Sequence, residues 1–330
     1  MELADPELRV VLERGLTQVE ELLRREVQSE FRFLTETSLH LVEAGGKRFR
    51  SLFTLLAGQF GPGGLGQGGR MADVVRAAAV VELVHLATLY HDDVMDEATM
   101  RRGAVSANAR WDNTVAILTG DFLFAHASRL VADLGPDAVR IIARTFAELV
   151  TGQMRETLGP TAGTDPVAHY LAVVAEKTGS LIATAGRYGA MFSGAPQERV
   201  DALRRFGEVI GTAFQISDDI IDIASPAAQS GKTPGTDLRE GVRTLPMLYA
   251  LAEPGPRVDR LRVLLARPLT DDALITEALR LLRESPGLDR AVRTLRSYAD
   301  LARAELAVLP ACPARDALAS VTDYLAARTG

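Results

Sequence analysis

Apolar side chains recur at i, i+3 and i+4 through most of the chain, over 3–26, 71–93, 114–134, 138–157, 167–192, 197–223, 274–283 and 288–309. This spacing predicts amphipathic or buried helices. The sustained period-2 alternation that would predict strands is missing. Stretches rich in Gly, Pro or Ser at 61–69, 159–166, 224–237 and 253–256 punctuate the periodic segments. None has the length or composition of an interdomain linker, so the pattern predicts one all-α domain over 1–330. The Gly-rich stretch 61–69 lacks a preceding strand and a following Lys-Ser/Thr, so it predicts a helix connection and no phosphate loop. Within 167–192, Lys177-Thr178-Gly179 predicts a kink, because Gly weakens a helix and Thr can bond back to it.

Composition narrows the class. Of the 330 residues, 47% are apolar and 24% charged, the balance of a globular protein with a sizeable core. A formal charge of −6 offers no general basic field for nucleic acid. Any anionic ligand must be met by local cations or by metal. One cysteine, Cys312, excludes an internal disulfide framework and suits a reducing compartment. Acidic residues at Glu2, Asp5, Glu7, Glu13, Glu20 and Glu21 argue against a secretory or transit peptide, and no uninterrupted apolar run approaches the ~20 residues that span a bilayer. The expectation is a cytoplasmic protein.

Two short acidic triplets carry the chemistry. Asp92, Asp93 and Asp96 form one DDxxD, and Asp218, Asp219 and Asp222 form another. On a helix, Asp92/Asp96 and Asp218/Asp222 each put two carboxylates on one face, one turn apart. Acidic clusters are usually solvated surface, yet these follow apolar runs. Carboxylate oxygens, few per ion, suit Mg²⁺ completed by water and substrate phosphates. Lys47, Arg48 and Arg50 follow Gly45-Gly46, and Arg101-Arg102-Gly103 follows the first triplet. Either basic cluster alone would read as an exposed charged face. Beside two metal-type triplets they point to two diphosphates, one held through metal and one by Lys and Arg.

The ordered set Gly45–Arg50, Glu82-Leu-Val-His85, His91–Asp96, Arg101-Arg102-Gly103, Gly120-Asp121, Lys177-Thr178-Gly179, Phe214-Gln215, Asp218–Asp222 and Gly231-Lys232 resembles the trans-type polyprenyl diphosphate synthase family, from about Gly45 to Leu251. The resemblance implies a helical bundle of the isoprenoid synthase type around a deep central cavity, and a homodimer. The implied reaction joins isopentenyl diphosphate to an allylic diphosphate to make a linear polyprenyl diphosphate. Two or three Mg²⁺ ions would be held directly by Asp92, Asp96 and Asp218, and by Asp93, Asp219 and Asp222 directly or through water. Arg101, Lys177 and Lys232 would hold the allylic diphosphate, and Lys47, Arg50, His85 and Arg102 isopentenyl diphosphate. Thr178 and Gln215 would line the cation site, and 224–237 would act as a lid. Two positions depart from the family pattern: Ser51 stands where Pro is common, and Thr236 where a second Lys is common.

Product length is read along one helical face. At 100° per residue, Thr88, Val84, Val81 and Ala77 all fall within about 80° of Asp92 and continue its face for about 22 Å. None is aromatic, and Ala87 is small where short-chain members of the family often carry a ring. This predicts a long product of the kind used for quinone side chains and passed to membrane enzymes. Ordinary core packing of these positions is the competing reading, as is a farnesyl or geranylgeranyl product. Further alternatives are a terpene cyclase, which has no use for a second diphosphate site, and a non-catalytic subunit, which would be expected to lose acidic ligands. Glu82-x-x-His85 also matches the motif of di-iron bundles, but that fold needs two copies and the chain has one.

Overall fold

The computed structural model describes residues 5–66, 70–224 and 234–328. Among them the chain is helical apart from one two-residue hairpin, as the periodicity predicts. It divides into two compact units, Met1–Ala147 with Leu181–Gly207 and Val308–Leu318, and Glu148–Ser180 with Glu208–Ala307 and Ala319–Gly330. Most of the divisions fall inside helices, so neither unit is one continuous stretch of chain.

The first unit is built on α4 (Met71–Met95). Its sequence is apolar on every side, and residues from Val74 to Tyr90 are almost all buried, as a helix surrounded by others requires. Around it pack α1 (Pro6–Glu26), α3 (Phe49–Gly58) and α6 (Asn113–Ala132). Asp5 caps α1 by accepting the Leu8 N–H at 2.7 Å, and Asp112 caps α6 through the Val115 N–H at 2.8 Å. The Tyr90 hydroxyl donates to Thr37 O and accepts the Leu41 N–H, which ties α2 (Arg32–Glu43) to α4. Between α4 and α6 lie β1 (Met100–Arg101), β2 (Ala104–Val105) and the short α5 (Ala107–Arg110).

The helix predicted over 114–134 is α6. By length and composition it is long enough to cross a membrane, although Asp121, His126 and Arg129 interrupt its apolar positions. Only 39% of its most apolar window is buried, because one side faces α4 and the other carries exposed Ile117 and Leu118.

α7 (Pro136–Leu158) runs across the first division. In the second unit, α8 (Pro166–Val174) is capped by Asp165 and passes into a single π-helical turn, Ala175–Gly179, before α9 (Ser180–Ser193). The expected kink at Lys177-Thr178-Gly179 is this π turn. It lies where α7 presents Gly152: a Cβ there would sit 2.6 Å from the Lys177 nitrogen, so only Gly admits the approach. α10 (Gln197–Ala224) carries the second acidic triplet. The remaining helices are α11 (Thr236–Glu240), α12 (Leu245–Leu251), α13 (Pro256–Leu264), α14 (Asp272–Arg283), α15 (Pro286–Ala307) and α16 (Pro313–Ala327). Ile223 of α10 forms one apolar core with Leu238, Met247, Leu261, Ile275 and Leu282 of α11–α14.

Candidate active site

In the first unit the cations gather around one carboxylate that sequence reasoning did not count as a site residue. Glu82, 1% exposed, accepts from Arg48 at 2.8 Å and from the Ser51 hydroxyl at 3.4 Å, with Arg102 3.6 Å away. Arg48 also pairs with Glu20 and donates to Val42 O at 2.9 Å. Burying several guanidinium groups together is tolerable only beside such a partner. Ser51, the departure from Pro, thus has a use for its hydroxyl.

Backbone geometry aims these groups. Arg102 and Gly103 form the two-residue turn between β1 and β2 with φ of 54° and 78°, the left-handed pair of a type I′ hairpin. From that turn Arg102 donates to Gly45 O at 2.5 Å and Leu41 O at 3.3 Å. Gly46 adopts φ 138°, and a Cβ there would meet the Arg102 guanidinium carbon at 3.1 Å. The Gly45-Gly46 pair is therefore what lets Arg102 lie against this loop.

Arg50 and His85 complete the cluster, and Lys47 is exposed at its edge. The Arg50 Nε is buried without a hydrogen-bond partner, and burial lowers the guanidinium to about 10 despite nearby Glu82. Burial, then Arg50, Arg102, Arg48 and Arg101, push His85 well below its ordinary value. His85 is therefore neutral near pH 7 and can hydrogen-bond an anion without itself adding to the cationic repulsion. A buried, underpartnered Arg among like charges is an arrangement that an anion with several oxygens would relieve.

The first triplet divides by direction. Asp93 is fully buried, accepts from Arg101 at 2.5 Å through Oδ1, and leaves Oδ2 without a partner. Burial raises its carboxyl above the ordinary range, outweighing Arg101. Asp92 is half-buried and Asp96 exposed, with Arg101 3.9 Å from Asp96. Arg101 thus spans two carboxylates of the triplet it follows in sequence. Ala77, Val81 and Val84 are fully enclosed on α4, and Ala87 and Thr88 nearly so, in the same unit.

In the second unit each carboxylate of the triplet has its own protein partner. Asp218 pairs with Arg328 at 2.9 Å. Asp219 accepts from the Tyr170 hydroxyl at 2.5 Å and from Gln215 at 2.9 Å, and burial pushes its carboxyl up to about 7. Asp222 accepts the N–H groups of Thr236 at 3.1 Å and Asp237 at 3.2 Å, so it anchors the start of α11. Lys177 pairs with Glu156. Lys177, Thr178, Gln215, Asp219 and Tyr170 line one cavity of about 660 Å³, whose other walls are largely apolar and include Val167, Val174, Leu248 and Leu251. Gln215, expected to line a cation site, does line this cavity, while its amide holds Asp219. None of the five α4 wall positions lines it. Lys232, and most of the expected lid, lie outside the described residues.

Among the described residues no group of three or more His, Cys, Asp or Glu side chains is close enough to form a metal cage. The donor set nevertheless fits a hard divalent ion: oxygen only, two carboxylates per helical face, with a buried Asp93 oxygen unsatisfied. Such an ion keeps water and takes further oxygens from a phosphate substrate.

A family model described as polyprenyl synthetase matches residues 31–282. The chain belongs to the polyprenyl synthetase family. Over 330 residues it is 58% identical to nonaprenyl diphosphate synthase from Mycobacterium tuberculosis, covering 100% of this chain and 97% of that protein. A crystal structure of geranylgeranyl pyrophosphate synthase from Corynebacterium glutamicum, complexed with calcium and isoprenyl diphosphate, matches with TM-score 0.89 and 52% identity, covering 100% of both chains. A decaprenyl diphosphate synthase from Rhodobacter capsulatus matches with TM-score 0.87 and 34% identity over 98% of this chain and 99% of that one. This member of the polyprenyl synthetase family is accordingly an enzyme, a prenyltransferase of isoprenoid biosynthesis with the all-α isoprenoid synthase fold.

Proposed function

We propose that the chain condenses isopentenyl diphosphate with an allylic diphosphate in a Mg²⁺-dependent reaction, repeating the step to a long all-trans polyprenyl diphosphate of the quinone side-chain kind. The observation that carries the long product is the face of α4 beneath Asp92, where Thr88, Val84, Val81 and Ala77 follow one another with no ring and Ala87 stands alongside. The nonaprenyl relative supports it, although the geranylgeranyl relative shows that overall identity alone does not set length.

Asp92, Asp96 and Asp218 would hold the ions directly, with Asp93, Asp219 and Asp222 direct or through water. When bound, two or three Mg²⁺ ions supply electrostatic stabilisation of the charge that develops on the departing diphosphate. Arg50, neutral His85, Arg102 and Lys47 hold the diphosphate of isopentenyl diphosphate. Arg101, Lys177 and Lys232 hold the allylic diphosphate, Lys177 exchanging Glu156 for a phosphate oxygen. Thr178 and Gln215 line the developing allylic cation. The allylic C–O bond breaks, the new C–C bond forms to the terminal alkene carbon of isopentenyl diphosphate, and the proton lost passes to the released diphosphate. No protein base is required.

We further propose a cytoplasmic homodimer whose product passes to membrane enzymes. The exposed apolar side of α6, with Ile117 and Leu118, supports the dimer, since a second copy would cover it. The length reading is tested by Thr88→Phe and Val84→Phe, with products separated after dephosphorylation. A ring on this face should shorten the product while the first condensations continue. Unchanged length in both variants would show that the growing chain does not follow it.

A further inference from the structure

Arg328 follows α16 and is held against α10 by main chain as well as side chain. Its N–H donates to Tyr324 O at 3.0 Å, its carbonyl accepts from the Ser217 hydroxyl at 3.3 Å, and its Nη1 donates to Asp218 Oδ1 at 2.9 Å. The two side chains are 22% and 24% exposed, so the pair is more than a solvated surface contact. Asp218 stands next to Asp219 and one turn before Asp222, three acidic groups on one helix end. Like charges at that spacing repel, and a guanidinium on Asp218 offsets part of that repulsion. A divalent ion on the same carboxylate would face the guanidinium at short range, and the two cations repel.

We propose that Arg328 is a built-in counter-cation of Asp218 which a divalent ion must displace, so that Arg328 leaves α10 as the second triplet takes up metal. This rests on the reading that Asp218 holds metal. The role differs from that of the basic residues assigned to diphosphates: Arg328 opposes ion binding to the free enzyme and stabilises the ion-free state.

The test uses Mn²⁺ alone, titrated into the full chain without any diphosphate and followed by the loss of the free-ion paramagnetic signal. Arg328→Gln should bind the Asp218-dependent ion roughly three- to tenfold more tightly than wild type, the range expected for loss of one partly exposed competing ion pair. Arg328→Lys, which keeps the charge, should stay near wild type. In the wild-type protein, which needs no substitution to fold, Mn²⁺ should speed tryptic cleavage after Arg328, and Asp218→Asn should abolish that acceleration. Unchanged or weaker Mn²⁺ binding by Arg328→Gln, with Asp218→Asn still impaired, would overturn the counter-cation role alone. Undiminished binding by Asp218→Asn would overturn the metal reading, and this proposal with it.

Discussion

Glu82 illustrates how much a single buried charge can organise. It is enclosed with Arg48 and Arg102 and touched by Ser51, so removing its charge leaves Arg102 without its carboxylate and Arg48 with Glu20 alone, in a poorly solvated place. Breaking one side of a buried pair costs about 3–5 kcal/mol. Glu82→Gln should therefore lower unfolding stability by about that amount in urea melts, whereas an effect on turnover with intact stability would contradict a structural role. In the sequence Glu82 was legible only as part of a motif with His85; that it partners the Arg run depends on α3 and α4 packing, which no spacing records. Asp219 gives a pH prediction. Its folded-state value lies near 7, above the ordinary carboxylate value, because burial disfavours the charge. Between those values the folded protein holds a proton that the unfolded chain has released, so this group makes stability fall as pH rises through the window and level off above it. Ion-free Asp219→Asn should thus gain stability relative to wild type as pH is raised from about 5 to 8 in thermal melts. A constant difference would show that the carboxyl titrates normally.

At the scale of elements, the long periodic helices and α14 were legible and most of the other short ones were not. α4, α7 and α10 announce themselves by apolar spacing. α2, with Thr35, Thr37 and Ser38 among its apolar positions, and α3, almost uniformly apolar behind Gly45-Gly46, lack a clear stripe and take their helical state from packing, α2 on α6 and α3 on α4. The hairpin was missed because Arg-Arg-Gly is not a usual turn sequence; Gly103 was the available signal. The kink at Lys177-Thr178-Gly179 was legible, but its cause lies partly in α7, at Gly152. Gly152→Ala should push the π turn and Lys177 off position. Its expected effect is a raised KM for the allylic substrate with the KM for isopentenyl diphosphate little changed; equal change in both would argue that Lys177 is not specific to the allylic diphosphate.

At the scale of the whole molecule, the sequence alone carried the family and the reaction class, because the ordered motifs span most of the chain. It did not carry the exposed face of α6, since a helix apolar on two sides looks in sequence like any core helix. For the homodimer proposed, Leu118→Asp should shift sedimentation from dimer towards monomer, and a dimer left unchanged by the substitution would place the interface elsewhere. The central claim, metal-dependent chain elongation, is tested most directly by incubating the purified protein with Mg²⁺, labelled isopentenyl diphosphate and farnesyl diphosphate, then resolving the products by chain length. The account predicts linear products extended by several isoprene units, abolished by chelation and restored by Mg²⁺. A product that stops after one addition would contradict the long-chain assignment, and turnover that persists without any divalent ion would contradict the role of the two triplets.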